Sequence, residues 1–461
     1  MNLHFFDVLT AGKSPAEGQV LRFHAINYSD DETVSQRMLS VRMRDDVYVP
    51  AKDIDATPLA LMELGQGISE CEFSRAVAPV FESPDTLHIG IGTTSKLEPF
   101  VRHALYRNLI PARLSSSSGG RHLDLDTLFR AIAILRPQEM PEPFTADLSL
   151  LSRQFRSSMW DANWDLDNRA LRVKELLGAA QERSPKLIEH CIARSSSSAI
   201  KDALGLDAGE VSDLSSVVPS IVIHPSIITQ SGYGLLYPLA IDVTYPDIAY
   251  MADLECDLSA LVDDSDAGLE SLLRKARGDG LPIVRVPLSR IPFVAPLGAI
   301  RPDDARRHKI NLGFVKDNIA RLRAATGLAA RLRDEPILEL SPQLADVDHR
   351  MWAGDFSRHD MEVMRALHEE GFDRWIDIAA GAHDLRVMDL AVRVLAREAP
   401  NLLPEGQREG WRAHVAARLN STTPGSLAQE LQAFQNASSE YPSAPGISFL
   451  LRRISGIAVR E

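Results

Sequence analysis

The stretch PFVAPLGAIRPDDA, residues 292–305, stands where the chain changes character. Before it, from residue 211, short apolar and β-branched runs are separated by glycine and proline, a pattern typical of an antiparallel β domain. The predicted strands are Ser220–Ile228, Gly234–Asp242, Ile248–Leu254, Ile283–Pro287 and Pro292–Pro296, with one helix inserted near Gly268–Ala276. From Asp303 onward apolar residues recur at helical spacing. The predicted helices there are Asn311–Ala325, Arg358–Glu370, Leu385–Glu398 and Pro404–Leu419.

Toward the N-terminus, residues 1–190 alternate between strand-like and helix-like patterns. Apolar runs suited to strands occur at Leu3–Val8, Val20–Ile26 and Leu87–Ile91, and helical periodicity occurs at Phe100–Asn108, Leu125–Leu135 and Arg169–Ala180. Strands that alternate with helices predict a mixed sheet with helices packed on it. The predicted fold is therefore α/β, then β, then α, with domains at residues 1–190, 191–345 and 346–461.

The bulk composition limits the classes of protein that this chain can belong to. No apolar run approaches the ~20 residues needed to cross a bilayer, so no membrane contact is expected. Its three cysteines, Cys71, Cys191 and Cys256, are too widely spaced for a disulfide framework or a structural zinc site. We therefore expect a cytoplasmic protein. A formal net charge of −13 disfavours nonspecific wrapping of nucleic acid, although it does not exclude a local basic groove.

Several short motifs, taken in order, resemble bacterial exonuclease I, a 3′-to-5′ single-strand DNA exonuclease. They are Phe5-Phe6-Asp7 with Thr10 and Gly12, Tyr106-Arg107-Asn108, Asp124-Leu125-Asp126 followed by Ile134-Leu135-Arg136-Pro137, Pro292–Ala305, and Trp352 with Gly354 and Phe356-Ser357. Their order and spacing carry the resemblance, since each motif alone is short. The resemblance implies an RNase H-like exonuclease domain, a small SH3-like β-barrel and a helical domain, which together form a C-shaped clamp around a single strand.

The resemblance also implies a two-metal nuclease site, which needs four acidic residues and a histidine that helps to activate water. Of these groups only Asp7 is kept, as a remnant. Leu9, Leu97, Trp164 and Arg169 stand at the other positions. One aspartate cannot hold two divalent ions, and Arg169 would repel a cation. We therefore predict a catalytically inactive relative with no cofactor.

A shift of the alignment by a residue or two leaves an alternative open. Glu98, Asp165 or Asp167 would then refill the site, and Mg²⁺ or Mn²⁺ would support residual activity. In that case Asp7 and Glu98 are the expected metal ligands.

Two arginines match family positions that line a pocket for the acidic C-terminal tail of single-strand-DNA-binding protein. They are Arg136 and Arg301, and a guanidinium suits a terminal carboxylate because it donates two parallel hydrogen bonds. The expected apolar walls of the pocket are Leu135, Ile300 and Pro302, while Pro296 stands in place of a family glutamine. The alternative is that each arginine only caps a helix end or forms an ion pair.

Direct contacts with DNA are predicted to be weak. Lys96, Arg102 and Arg107 are the candidate phosphate contacts. A basic patch expected after the first domain is replaced by Arg194–Ser198, whose serines predict a solvated loop. The candidate aromatic platforms, each more typical of core or interface packing, are Trp160, Trp164, Tyr233, Tyr237 and Trp352.

Three functions remain open at this stage. The leading hypothesis is an inactive exonuclease I-like protein that binds single-stranded DNA, the tail of its binding protein, or both. Such a protein would work with a protein partner in a DNA-repair or anti-phage defence complex. The second is an active, metal-dependent 3′-to-5′ exonuclease with a rearranged site. The third is a protein-interaction subunit that does not contact DNA.

Overall fold

The N-terminal part is built on a mixed sheet of five strands in the order β3-β2-β1-β4-β5. The strands are β1 (Asn2–Ala11), β2 (Gln19–Ser29), β3 (Glu32–Ser40), β4 (Thr86–Gly90) and β5 (Arg121–Asp124). β1, β2 and β3 pair antiparallel, whereas β4 runs parallel to both β1 and β5. The predicted mixed sheet is therefore present.

The computed structural model describes most of the chain. The described residues are 2–12, 14–29, 32–55, 58–82, 86–111, 120–139, 168–206, 214–224, 232–242, 247–262, 283–325, 328, 346–422 and 427–458. Within them, no helix is long and apolar enough to cross a membrane.

Helices cover both faces of the first sheet. They are α1 (Ala51–Asp55), α2 (Glu70–Phe81), α3 (Glu98–Arg107), α4 (Leu125–Leu135), α5 (Arg169–Arg183), α6 (Pro185–Ala193) and α7 (Ser197–Leu204). Successive β1 side chains point to opposite faces, so Phe6 packs with the aromatic rings of α2 while Phe5 packs with α4 and α5. Helix α2 begins at a capping box in which Ser69 and Glu72 each accept the other's backbone N–H.

The second part is an antiparallel sheet of five strands in the order β10-β6-β7-β8-β9. The elements are β6 (Ser220–Ile223), β7 (Gly234–Ile241), β8 (Ile248–Asp253), α8 (Ser259–Val262), β9 (Ile283–Pro287), β10 (Phe293–Pro296), α9 (Pro302–Arg307) and α10 (Leu312–Ala324). Tyr233 and Tyr237 lie in its core, as predicted for core aromatics. The predicted helix at 268–276 lies outside the described residues.

The third part is helical, as predicted. Its helices are α11 (Arg358–Glu369), α12 (Trp375–Ala379), α13 (Leu385–Glu398), α14 (Glu405–Thr422), α15 (Leu427–Glu440) and α16 (Pro445–Ala458), preceded by a 3₁₀ turn at Val347–Trp352. Side chains of α14, α15 and α16, among them Leu419, Phe434 and Ile447, form one core with Leu59 and Met62 of the first part. The domain limits at 190 and 345 stay predictions, but the last helices clearly return to the first part of the chain.

One local prediction is wrong. Residues 195–198 were expected to form a solvated loop, but Ser195 is buried and its hydroxyl accepts a hydrogen bond from Arg121. Ser196 caps α7 by accepting the backbone N–H of Ala199. The serines are therefore structural, because short hydroxyl side chains satisfy the free N–H groups at the start of a helix.

Candidate functional site

Asp7, the predicted remnant of the family's site, pairs with an arginine. Asp7 lies in β1, and Arg169 is the first residue of α5. The Nε of Arg169 donates to Oδ2 of Asp7, and each side chain is only 15% exposed. The next residue, Ala170, donates its N–H to Nδ1 of His24 in β2 at 3.1 Å, which fixes the start of α5 over the sheet. A guanidinium thus neutralises the carboxylate that would otherwise attract a metal ion.

The two leucines predicted to stand at family ligand positions belong to apolar cores. Leu9 packs in the core shared with the C-terminal helices, whereas Leu97 packs with Phe6 and Phe100 between the first sheet and α3. Neither side chain has an atom that can bind a cation. Trp164, like Trp160, Asp165 and Asp167, lies outside the described residues, so the predictions for those positions stay predictions.

The carboxylate of Glu98 lies close to Arg102 and His122. It begins α3, is buried, and accepts a 2.8 Å hydrogen bond from Nη2 of Arg102. Its carboxylate also lies 3.9 Å from Nε2 of His122. The structure therefore places Glu98 beside Arg102, and a metal site shared by Glu98 and Asp7 stays a prediction.

Asp46, Asp348 and His414 form the one group of three possible metal ligands found among the described residues. Arginines already occupy the carboxylates: Arg44 Nε lies 2.8 Å from Asp46, and Arg418 Nη2 lies 2.8 Å from Asp348. Burial alone would raise the pKa of Asp46, but Arg44 and Arg418 hold that pKa well below its usual range. The group is therefore a buried charge network whose carboxylates are balanced by guanidinium groups.

The two candidate tail-binding arginines lie on neighbouring elements. Arg136 ends α4 and donates to the carbonyl of Leu135, while Arg301 is exposed at the start of α9. The two helices adjoin, because Nη2 of Arg307 in α9 donates to the Ile134 carbonyl at 2.6 Å. The bond made by Arg136 is the kind expected of a helix-end cap, and binding of a tail by Arg136 stays a prediction.

The apolar residues beside these arginines differ in exposure. Leu135 is buried in the core, whereas Ile300 is half-buried and Pro302 and Pro296 are exposed. A pocket wall at this place would therefore come mainly from Ile300 and Pro302.

One predicted DNA contact is wrong, because Arg107 is fully buried. Its Nη2 lies 2.8 Å from Glu70 Oε1, and its Nη1 donates to the Pro15 carbonyl at 2.8 Å. Arg107 therefore fastens the turn between β1 and β2 to α2. Lys96 is exposed and Arg102 pairs with Glu98, so both stay predicted contacts.

The structure shows the surroundings of two further residues, Trp352 and Asp124. Trp352 was expected to pack in a core or an interface; its side chain is 64% exposed on the 3₁₀ turn, so core packing is wrong, while interface packing and base stacking stay predictions. Asp124, at the start of α4, is buried and accepts the N–H groups of Gly92 at 2.8 Å and Thr94 at 3.3 Å. Burial raises the pKa of Asp124 to about 6. An aspartate before an apolar helix signals a cap, whereas nothing in the sequence signals the exposure of Trp352.

Comparison with known proteins identifies relatives along the whole chain. A family model described as the exonuclease I SH3-like domain matches residues 226–335, and one described as the exonuclease I C-terminal domain matches residues 345–446. Exodeoxyribonuclease I of Haemophilus influenzae is 23% identical over 443 residues, which cover 90% of each chain. Exodeoxyribonuclease I of Escherichia coli is 24% identical over 444 residues, covering 89% of this chain and 88% of the relative.

Solved structures of the E. coli protein share the fold. The zinc ion-bound form of its complex with single-stranded DNA superposes with a TM-score of 0.80 at 20% identity, covering 100% of this chain and 99% of that chain. A structure described as SSB/exonuclease I with the inhibitor CFAM gives a TM-score of 0.81 at 19% identity, with the same coverage. These matches confirm the predicted α/β, β and α architecture. Because the domain models match in the family's order and the relatives align along nearly all of both chains, this chain belongs to the exonuclease I family.

Proposed function

We propose that this chain is a catalytically inactive member of its family that binds single-stranded DNA, the acidic tail of single-strand-DNA-binding protein, or both. The ion pair between Asp7 and Arg169 carries the proposal. A guanidinium beside the remaining carboxylate takes up its charge and repels a divalent ion. Leu9 and Leu97 offer no ligand atom in place of the lost acids. The described residues therefore do not fit a pair of catalytic metal ions.

Binding without cleavage is supported by what the chain retains. Relatives of the same fold have been solved with single-stranded DNA and with SSB. In this chain Arg301 is exposed, and the helix that it begins packs against the end of α4, next to Arg136. Phosphates and carboxylates both suit such guanidinium groups. We further infer that a protein that binds but does not cut works with a partner, in a DNA-maintenance or anti-phage defence complex.

One experiment separates this proposal from an active enzyme. Purified protein is mixed with 3′-labelled single-stranded DNA at low salt, with and without Mn²⁺, and both binding and loss of label are measured. We expect a retarded complex and intact label under both conditions, in the wild type and in Asp7→Ala alike. Metal-dependent shortening that disappears in Asp7→Ala would show that the site is active and that the proposal is wrong.

A second arm tests the protein partner. A peptide with several aspartates and a C-terminal phenylalanine is titrated into the wild type and into Arg136→Ala and Arg301→Ala. Loss of one arginine–carboxylate contact should weaken binding about tenfold, equivalent to about 1.4 kcal/mol. Arg358→Ala, which removes an exposed arginine on α11, serves as the control and should bind as the wild type does. Failure to bind both the peptide and DNA would leave only the protein-interaction function.

A further inference from the structure

The side chain of Trp352 is displayed on a rigid turn, although an exposed indole costs free energy in water. The 3₁₀ turn Val347–Trp352 begins with Asp346, whose Oδ1 accepts the N–H of Asp348 at 2.9 Å. A single exposed aromatic residue is ordinary at a protein surface. This one differs in that the backbone on both sides of it is held by hydrogen bonds.

A single guanidinium holds the backbone on both sides of Trp352. Nη1 of Arg386 donates to the Arg350 carbonyl at 2.9 Å, and its Nη2 donates to the Gly354 carbonyl at 2.9 Å. Arg386 is itself buried, paired with Asp384 at 2.6 Å, and stacked 4.3 Å above the ring of Phe356. The backbone that presents the indole is thus fixed before any ligand arrives, so little backbone entropy remains to be lost on binding.

The same turn is attached to the part of the chain that carries Asp7. The hydroxyl of Tyr106, in α3, donates to the Val347 carbonyl at 2.8 Å. Nε2 of His349 lies 3.6 Å from Glu17, in the connection that follows β1. Trp352 therefore ends a turn whose earlier residues, Val347 and His349, contact the first part of the chain.

The acidic side chains of this turn are balanced. Asp346 and Asp348 each lie 2.8 Å from Nη2 of Arg418, and Arg393 pairs with both. The charges of these two aspartates are therefore balanced by arginines, so these two carboxylates repel a nearby phosphate less than free ones would.

We propose that Trp352 is a stacking platform for a base of single-stranded DNA. The proposal rests on the DNA-binding function inferred above. In a chain without catalytic metal ions, stacking on Trp352 would help to hold the strand in place of contacts through the metals. A base is favoured over an apolar side chain because stacking uses the open face of an indole and every base offers a π-face. Stacking is also independent of sequence, which suits a protein that binds without reading bases.

The test compares Trp352→Ala, Trp352→Phe and the wild type on oligothymidylate and on the same backbone with abasic positions. Tyr441→Ala removes an exposed aromatic side chain elsewhere and is the matched control. We expect Trp352→Ala to weaken binding of oligothymidylate between about fivefold and about a hundredfold, as stacking of one base on an aromatic ring predicts. Trp352→Phe should recover most of that loss, and Tyr441→Ala should change nothing.

Two further readouts separate stacking from a structural effect. Binding to the abasic backbone should be the same for the wild type and Trp352→Ala, and the slope of log affinity against log salt should not change, because no phosphate contact is removed. An equal loss on both oligonucleotides, or no loss on oligothymidylate, would overturn the role of Trp352 while leaving DNA binding intact. No binding by the wild type would overturn both. A melting temperature equal to that of the wild type excludes misfolding as the cause.

Discussion

Three histidines lie side by side in the core of the first sheet. The strand register puts His4 opposite His88 and His88 opposite His122. Nδ1 of His4 lies 2.7 Å from Nδ1 of His88, and the His4 ring stacks on Phe6 at 5.1 Å. Burial lowers the pKa of all three imidazoles, that of His4 to about 3. A proton added here would place a charge where water cannot reach it.

We therefore expect the free energy of unfolding to fall as the pH drops below 6.5. The unfolded chain takes up these protons near pH 6.5, whereas folded His4 takes one up only near pH 3, so stability is complete above 6.5 and is lost between these values. Each such histidine contributes up to about 1.4 kcal/mol per pH unit. The pKa of Asp124 is raised from 3.8 to about 6, so between these pH values the folded chain keeps a proton that the unfolded chain has lost. The contribution of Asp124 to stability therefore falls as the pH rises through this interval, opposite to that of the histidines.

Urea unfolding at a series of pH values between 5 and 7.5 checks this expectation. His4→Phe should reduce the pH dependence, even if the lost bond to His88 lowers stability at every pH. Equal slopes for the wild type and His4→Phe would mean that His4 is already protonated in the folded chain or is solvated.

The residue types at the candidate site can be read from the sequence, but the contacts between those residues cannot. Leu9 and Leu97, at positions predicted to carry ligands, have no ligand atom, which follows from their residue type alone. The pairing of Arg169 with Asp7 joins positions 162 residues apart, which no local pattern reveals. Arg107 was wrongly predicted to contact DNA for the same reason. Its partner Glu70 lies on another helix, and no local pattern reveals that pairing. The exposure of Trp352 likewise depends on Arg386, which holds the turn from α13.

At the level of elements, the packing of α16 depends on a glycine. A Cβ placed on Gly446 would lie 2.1 Å from the carbonyl oxygen of Leu59, which belongs to the backbone and cannot move aside cheaply. We expect Gly446→Ala to lower the free energy of unfolding by about 1–3 kcal/mol, the usual cost of overpacking. Gly456→Ala in the same helix meets nothing within 4 Å and should raise it by about 0.5–1 kcal/mol.

Thermal or urea unfolding of the two alanine variants checks the packing of α16. Similar changes in both would show that α16 does not approach Leu59 as closely as described here.

Elements with strong apolar periodicity were predictable and the others were not. Helix α4 was predicted at Leu125–Leu135 and is found there, because its apolar residues recur at helical spacing before a proline. Strand β3 was missed because it lies at the edge of its sheet and none of its residues is fully buried, so it lacks an apolar signal. Helices α15 and α16 were predicted only as part of a helical region, without bounds of their own. The core that they fill belongs to a distant part of the chain.

For the whole molecule, the helical part is joined to the first sheet by the charge network around Arg418. Its side chain is 5% exposed and bonds Asp46 from the first part and Asp348 from the third. Removing one partner leaves buried carboxylates without compensation, so we expect Arg418→Ala to lower the free energy of unfolding by about 3–5 kcal/mol.

Arg412→Ala is the matched control on the same helix. Its side chain is 66% exposed and bonds Glu405 at 3.2 Å, so its removal should cost no more than about 1 kcal/mol. Unfolding in urea measures both changes. Equal effects of the two substitutions would show that the network does not hold the two parts together.

The order of the three parts could be predicted from the sequence, but not their closure into one body. Changes in periodicity near residues 211 and 303 mark where the chain changes architecture. Contacts such as the bond from the N–H of Ala51 to Glu430, across 379 residues, leave no trace in local composition.

The contact between the first part and the last helices has a consequence for folding during synthesis. Nη1 of Arg453 bonds the carbonyl of Arg44 across 409 residues, and the core between them is completed by the last three helices. At roughly 5–20 residues per second, a ribosome needs about 20–80 s to make the intervening chain. Throughout that time the apolar residues around Leu59 and Met62 of the nascent first part are exposed to water. The first part of newly made protein should therefore reach its full stability only after the last three helices have been synthesised.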